Sequence, residues 1–297
     1  ISIKSHPVRM MYKRENSNDV YEFNLIDTPG HVDFSYEVSR SMSACEGAIL
    51  LVDASQGVEA QTVANVYLAL ERNLEIIPVI NKIDHPNADV TETARQIKDV
   101  LGISNDSIIL VSARTGEGVK TLLDRIIEKI PPPTKTASNT LRALIFDSAY
   151  DAFRGVISYV RIYDGNVKAG EKIKFFASSA ETEVKEVGVF SPDPVPVAKL
   201  ETGEVGYIVG TIKEPRYIMV GDTLYNPADK NIKPLPGFKK MQPMVFSGLY
   251  PAESSDFERL RQSLEKLHLN DPSFTFHPES SAALGFGFRC GFLGLLH

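Results

Sequence analysis

The chain has 297 residues, enough for two or three domains, with 43% hydrophobic and 24% charged side chains, the balance of an ordinary globular protein. A formal net charge of −6 argues against holding nucleic acid through bulk charge, while leaving room for a basic face on one domain. Two distant cysteines, Cys45 and Cys290, suggest a reducing compartment more than a disulfide scaffold; no apolar run reaches membrane-spanning length, and no signal peptide opens the chain.

The first residues, Ile1-Ser2-Ile3-Lys4, read as a strand already under way, and the last, Leu293-Gly294-Leu295-Leu296-His297, carry no stop signal, so the chain reads as a segment cut at both ends. Tyr21–Ile26 is an apolar-rich strand that runs into Asp27-Thr28-Pro29-Gly30-His31. Gly47–Asp53 is an unbroken apolar run, as expected of a strand buried on both faces. Val63, Val66, Tyr67 and Leu70 then give Gln61–Arg72 a helical spacing. Ile76–Ile80 predicts a second buried strand, which leads into Asn81-Lys82-Ile83-Asp84. Asp89-Val90-Thr91-Glu92 has the form of a capping box at the start of a helix towards Leu101. Ser107–Val111 predicts a strand, and Val119, Leu122, Leu123, Ile126, Ile127 and Ile130 mark one face of a further helix. Such alternation predicts a mostly parallel sheet covered on both sides, with ligands at the carboxyl ends of its strands.

Pro131-Pro132-Pro133 stops that helix and the polar stretch Thr134–Thr140 follows, which predicts a domain boundary. Beyond it the pattern is strand alternation. Val156–Tyr163, Lys172–Phe176, Glu183–Val189 and Gly206–Val209 are separated by Gly, Pro and Asp, as in a small antiparallel barrel, with Ser191–Pro196 as an exposed loop. After Pro234-Leu235-Pro236-Gly237, the order is a strand at Met244–Leu249, a helix at Ser255–Leu267 and strands at Ser273–Phe276 and Leu284–Phe292. This is the opening of a split β-α-β module. The helix carries Phe257, Leu260, Leu264 and Leu267 on one face.

Chemistry concentrates at two strand ends. Asp84 can accept the N1–H and N2–H₂ of guanine together, whereas adenine offers an acceptor at N1 and leaves a buried carboxylate unpaired. The Lys82 stem can cover the base face and the Asn81 amide can brace the loop. Alone, this tetrapeptide reads equally well as a polar turn. Ser112-Ala113-Arg114 follows the next strand and lies beside it in such a sheet, so the Ala113 N–H can reach the guanine carbonyl; in isolation it is an ordinary strand-to-loop corner. Asp27 can hold Mg²⁺ through water. Gly30 lets the backbone N–H approach a terminal phosphate, and His31 can orient a water for in-line attack on a γ-phosphoryl group. Asp53 reads as a turn or capping carboxylate, Cys45 as a buried small residue, and Arg40 and Arg72 as solvated helix residues. His85, His268 and His277 read as surface histidines without metal-ligand spacing.

These motifs carry a resemblance. Asp27–Ser41 resembles the motif shared by the translational GTPases, and Pro236-Gly237-Phe238-Lys239-Lys240 with Ala283–His297 resembles, within them, the LepA (elongation factor 4) family. The resemblance implies a P-loop-GTPase-like α/β domain over 1–133, incomplete at its start, a linker at 134–140, an antiparallel β-barrel over 141–232 and a truncated ferredoxin-like α+β domain over 233–297. It implies GTP as substrate, bound through Asp27, Gly30, Asn81, Lys82, Asp84, Ser112 and Ala113. Mg²⁺ is held by Asp27 and by Ser2, which stands where the family has a threonine. His31 is catalytic, activated by large-subunit RNA. The implied partners are the ribosome with its factor-binding proteins and tRNA. The implied protein is a cytoplasmic monomer, with peripheral contact at the inner membrane as a further implication, that remodels or back-translocates stalled ribosomes. An elongation factor G-like or ribosomal-protection GTPase, and a ribosome-binding module that hydrolyses nothing, are the alternatives. Gly-x-x-x-x-Gly-Lys-[Ser/Thr] occurs nowhere in the sequence, so these 297 residues alone are expected to be inactive or nearly so.

Overall fold

Short apolar runs alternate with amphipathic stretches in the first part of the chain, and strands and helices alternate accordingly. In the computed structural model, which describes residues 4–15, 17–134, 139–151, 153–212, 217–238, 242–271 and 273–297, the chain forms two compact units. One reaches to Pro133; the other runs from Thr134 to His297 and takes in Pro7–Arg9.

At the start of the chain, β1 (His6–Lys13), which contains Pro7–Arg9, and β2 (Val20–Asp27) pair as a sheet of their own. Then come α1 (Ser35–Met42), β3 (Gly47–Asp53), α2 (Ala60–Glu71), β4 (Glu75–Asn81), α3 (Val90–Leu101), β5 (Ile109–Leu110) and α4 (Val119–Lys129). β3, β4 and β5 form a parallel sheet in that order. The period of two along β4 divides its side chains between two cores. Ile80 packs with Leu50, Val52, Val66 and Ile97 under α2 and α3, while Ile77 and Val79 pack with Ile109, Val111 and Ile126 under α4.

Several local expectations change. Ile1–Ile3 lie outside the described residues, and the first strand begins at His6. β3 is not buried throughout, since Leu51 is 56% exposed. In α2 the buried residues are Val66 and Ala69, while Tyr67 and Leu70 are exposed. The predicted strand at Ser107–Val111 shrinks to two residues because Asn105–Ser107 closes a 3-10 turn. Asp89 caps α3 by accepting the Glu92 N–H at 2.9 Å, but the box is one-sided. The Asp89 N–H is taken by the Ala54 carbonyl at 2.8 Å, and Glu92 turns to Arg95 instead.

The second unit opens with β6 (Arg142–Asp151), β7 (Gly155–Asp164), β8 (Asn166–Lys168), β9 (Lys172–Phe175) and β10 (Glu181–Phe190). It continues with β11 (Pro194–Pro196), β12 (Lys199–Glu201), β13 (Val205–Gly210) and β14 (Thr223–Tyr225). Antiparallel pairing runs β10-β13-β7-β6-β14-β9 and returns from β9 to β10, which closes a barrel. Val156, Val160 and Ile162 of β7 face its interior with Ile145, Val187, Leu200 and Leu224. Part of the expected loop at Ser191–Pro196 is β11, on the outer side of β10, where prolines interrupt no central ladder. Leu235 is buried, and its N–H donates to the Thr223 hydroxyl at 2.8 Å, so the segment after the barrel is fastened to β14.

β15 (Val245–Leu249), α5 (Phe257–Asn270), β16 (Thr275–Ser281) and β17 (Gly285–Phe292) follow, with strand order β15-β17-β16, all antiparallel. This is the β-α-β-β arrangement of the opened split module. Leu264 of α5 is buried with Phe274, Phe288 and Cys290, but Leu267, expected on the same face, is exposed.

Leu224→Ala removes a wholly buried side chain from the barrel interior. It should lower unfolding free energy by about 2–5 kcal/mol, read from denaturant midpoints; an unchanged midpoint would refute that packing role.

Candidate functional site

Parallel pairing sets the site. β3 and β4 are in register with Asp53 opposite Asn81, and β5 pairs beside β4, so three loops leave one edge of the sheet. Asn81 joins them. Its carbonyl accepts the Ala54 N–H at 2.9 Å, and its Oδ1 accepts the Ala113 N–H at 3.0 Å. Lys82 follows with φ at 63°, a left-handed conformation uncommon outside glycine, asparagine and aspartate. The turn closes through the His85 N–H, which donates to the Lys82 carbonyl at 2.9 Å.

Asp53 fixes the Lys82 side chain, with Nζ 2.6 Å from Oδ2. Its Oδ1 accepts the Ser55 N–H and hydroxyl at 2.8 and 2.7 Å. Burial works against the charged carboxylate, but Lys82 and Ser55 together outweigh it and bring the Asp53 pKa down to about 2.

Asp84 is the centre of the rim. Its Oδ1 accepts the Ser112 hydroxyl at 2.6 Å, and its Oδ2 lies 2.6 Å from Arg114 Nη2. The Ser112 hydroxyl holds the Asp84 carboxyl below its usual range against partial desolvation, and the Asp84 backbone and Arg114 act in the same direction. Ser112 is itself wholly buried; its Oγ accepts the Thr115 N–H at 3.1 Å, and its N–H donates to the Glu117 carbonyl at 2.9 Å. Gly118 makes that turn feasible. Its φ is +73°, and an added Cβ would stand 2.0 Å from the Leu110 carbonyl oxygen. The result is an ionised carboxylate at the mouth of two braced loops, suited to a flat ligand offering adjacent N–H donors.

The second motif lies at the end of β2. Asp27 is exposed there, and Gly30 is exposed with open space where a Cβ would stand. Gly30 does not have a positive φ, so glycine serves close approach here rather than turn geometry. His31 Nδ1 accepts the Asp33 N–H at 3.2 Å, which in the neutral ring leaves the proton on Nε2. Its ring meets Phe34 edge-on at 6.3 Å. Among the described residues, no hydrogen bond or ion pair joins Asp27, Gly30 or His31 to the Asn81–Asp84 loop. Nor do any three His, Cys, Asp or Glu side chains among them gather as a metal cluster. A lone exposed carboxylate at Asp27 fits an ion held mostly by water and phosphate oxygens. Ser2, the other expected magnesium ligand, lies outside the described residues, as do Lys239 and Lys240.

Asp53 is the turn carboxylate that its sequence position predicts, accepting the Ser55 N–H, but it also holds Lys82, and Arg114 is the residue that motif reading passed over. The signal for Asp53 was present: it ends the strand next to the one that ends in Asn81, so parallel register places it beside Lys82. Arg40, expected to be solvated, is 1% exposed and paired with Glu37, with its guanidinium 5.0 Å over the Tyr36 ring. Arg72 is exposed and donates to Ser39 Oγ at 3.0 Å. Cys45 is only half-buried; its thiol donates to the Ser41 carbonyl at 3.3 Å. His85 and His277 are exposed, but His268 is half-buried with Nδ1 2.6 Å from the Phe274 carbonyl oxygen.

Comparison with known proteins gives consistent matches. The elongation factor Tu GTP binding domain model matches residues 1–132, and the elongation factor Tu domain 2 model matches residues 155–225. A Thermotoga maritima protein named Elongation factor 4 is 58% identical over 297 residues, 100% of this chain and 48% of the relative. One of the same name from Chlorobaculum parvum is 57% identical over 300 residues, 100% of this chain and 49% of its own length. The chain thus spans about half the length of the curated relatives it matches. A crystal structure of a protein from Thermus thermophilus shares the fold with a TM-score of 0.75 at 19% identity, covering 99% of this chain and 56% of that one.

Because the Asp53 pKa is depressed to about 2, its contribution to stability is complete above the ordinary carboxylate range near pH 4 and is lost as pH falls through about 2. Asp53→Asn should therefore flatten the acid limb of unfolding between about pH 4 and 2, measured by denaturant midpoints at stepped pH. An acid limb identical to that of the unsubstituted chain would deny Asp53 this role.

Proposed function

We propose, since this chain belongs to the translational GTPases and among them to the elongation factor 4 (LepA) family, that the full-length protein is a ribosome-dependent GTPase that remodels or back-translocates stalled ribosomes. The observation that carries the reading is the Asp84 carboxylate, held ionised between Ser112 and Arg114 on a rim braced by Asn81 and Lys82. Guanine would present N1–H and N2–H₂ to Asp84, and the Lys82 stem would cover the base. The Ala113 N–H, which donates to Asn81 in this structure, would lie beside the purine carbonyl.

Asp27 and Gly30 would face the phosphates. Asp27 and Ser2 would hold magnesium, which would supply neutralisation of phosphate charge. The Gly30 N–H would donate to the terminal phosphate. His31, with Nδ1 committed to the Asp33 N–H, would direct Nε2 towards the attacking water and orient it in line with the γ-phosphoryl group, giving GDP and inorganic phosphate. Hydrolysis is assigned to the full-length protein, because the 297 residues contain no Gly-x-x-x-x-Gly-Lys-[Ser/Thr] cradle and alone would turn over little nucleotide.

The domain reading is a GTPase domain over 1–133, a linker at 134–140, a barrel over 141–232 and a ferredoxin-like part over 233–297. Large-subunit RNA, the factor-binding proteins of the ribosome and tRNA are the proposed partners, in the cytoplasm. The shared name of the curated relatives favours this reading over an elongation factor G-like one.

In the full-length protein, His31→Ala should leave GTP binding nearly intact and slow ribosome-stimulated hydrolysis by roughly 10²–10⁴-fold. Unchanged turnover would remove His31 from the mechanism. Asp84→Asn should move preference from GTP towards xanthosine triphosphate, which carries a carbonyl where guanine has its amino group. Retained GTP selectivity in a competition assay would contradict base reading by Asp84.

A further inference from the structure

Arg114 occupies the place that the base is proposed to take. Asp84 has two carboxylate oxygens; Ser112 donates to one at 2.6 Å, and Arg114 Nη2 lies 2.6 Å from the other. A guanidinium is a flat fork of N–H donors, and the Watson–Crick edge of guanine is likewise a flat pair of N–H donors. Each is complementary to a carboxylate in the same plane, and a guanidinium and a base edge cannot both occupy the space in front of that carboxylate. The Ser112 contact is fixed, because that side chain is buried and held by its own loop. The Arg114 contact is displaceable, because its side chain is 78% exposed.

We propose that Arg114 is a built-in competitor for the guanine site: its guanidinium caps Asp84 through the 2.6 Å contact and must swing aside before the base can bind. The inference rests on the reading of Asp84 as the base-reading carboxylate and adds a regulator of that site. Only the uncapped fraction of the protein is competent, so apparent affinity falls by that fraction. An exposed ion pair of this kind is weak, which sets the effect at about twofold to fivefold. The cap also filters ligands, since it yields only to one that replaces its donors on Asp84. A lysine in its place keeps the charge and loses the planar fork, so it would cap less well.

The test is GDP affinity of the full-length protein, by calorimetry or a fluorescent guanine nucleotide. Arg114→Ala should tighten GDP binding about twofold to fivefold at low salt, with Arg114→Lys between it and the unsubstituted protein. Removing a cation near a polyphosphate ordinarily weakens binding, so the expected sign is opposite to the generic effect. Raising salt screens the cap and should narrow the difference. In an Asp84→Asn background, probed with xanthosine diphosphate, Arg114→Ala should bring no gain. Unchanged or weakened GDP binding in Arg114→Ala would overturn the competitor role, as would an equal gain in both backgrounds. Failure of base reading would show separately, as unaltered GDP affinity in Asp84→Asn alone.

Discussion

Parallel register between neighbouring strands is the constraint from which the site follows. Once β3 and β4 pair with Asp53 opposite Asn81, the two loops have no freedom to diverge, and β5 brings Ser112 to the same edge. Each side chain then satisfies a need of another. Lys82 neutralises Asp53, Asn81 receives the Ala113 N–H, and Ser112 donates to Asp84. A polar rim of this type is costly when left half-satisfied, so the register and the hydrogen bonds support each other. The apolar layers on both faces of β4 stabilise the sheet without contributing chemistry, which leaves the rim free to be polar.

Much of this was legible in the sequence, for physical reasons. The parallel strands announce themselves as apolar runs ending in a polar residue, and the amphipathic spacing of α4 is unambiguous. The tetrapeptide Asn81-Lys82-Ile83-Asp84 stands where the sheet ends. Less legible were features that depend on partners distant in the chain. Arg40 reads as an ordinary helix arginine until the fold buries it against Glu37 and Tyr36. Tyr67 and Leu70 fit a helical stripe, yet the sheet covers the other side of α2. Short barrel strands such as β8, β12 and β14, with three residues each, are too brief for alternation to identify. β14 is placed by ring closure, a property of the whole barrel, while β8 and β12 pair with each other across a long stretch of chain. The contact of Arg114 with Asp84 was hidden for another reason: from sequence, the tripeptide Ser112-Ala113-Arg114 draws attention to its backbone rather than to its final side chain.

The two motifs differ in how the fold prepares them. The rim around Asp84 is held by hydrogen bonds and ion pairs among the loops of one sheet. Asp27, Gly30 and His31 are exposed or half-exposed, and the His31 ring is anchored by the Asp33 N–H. The first motif is thus cross-braced by side chains from three loops, while the second presents its side chains to solvent.

The proline-bearing strand outside β10 has a consequence for the molecule among its neighbours in a crowded cell. A small barrel whose wall ended in an open ladder would invite extended peptides to add on, and copies to stack into filaments. Two of the three residues of β11, Pro194 and Pro196, have no amide hydrogen to offer such a visitor. That flank of the barrel therefore resists templated growth by its covalent chemistry alone, at every pH and ionic strength.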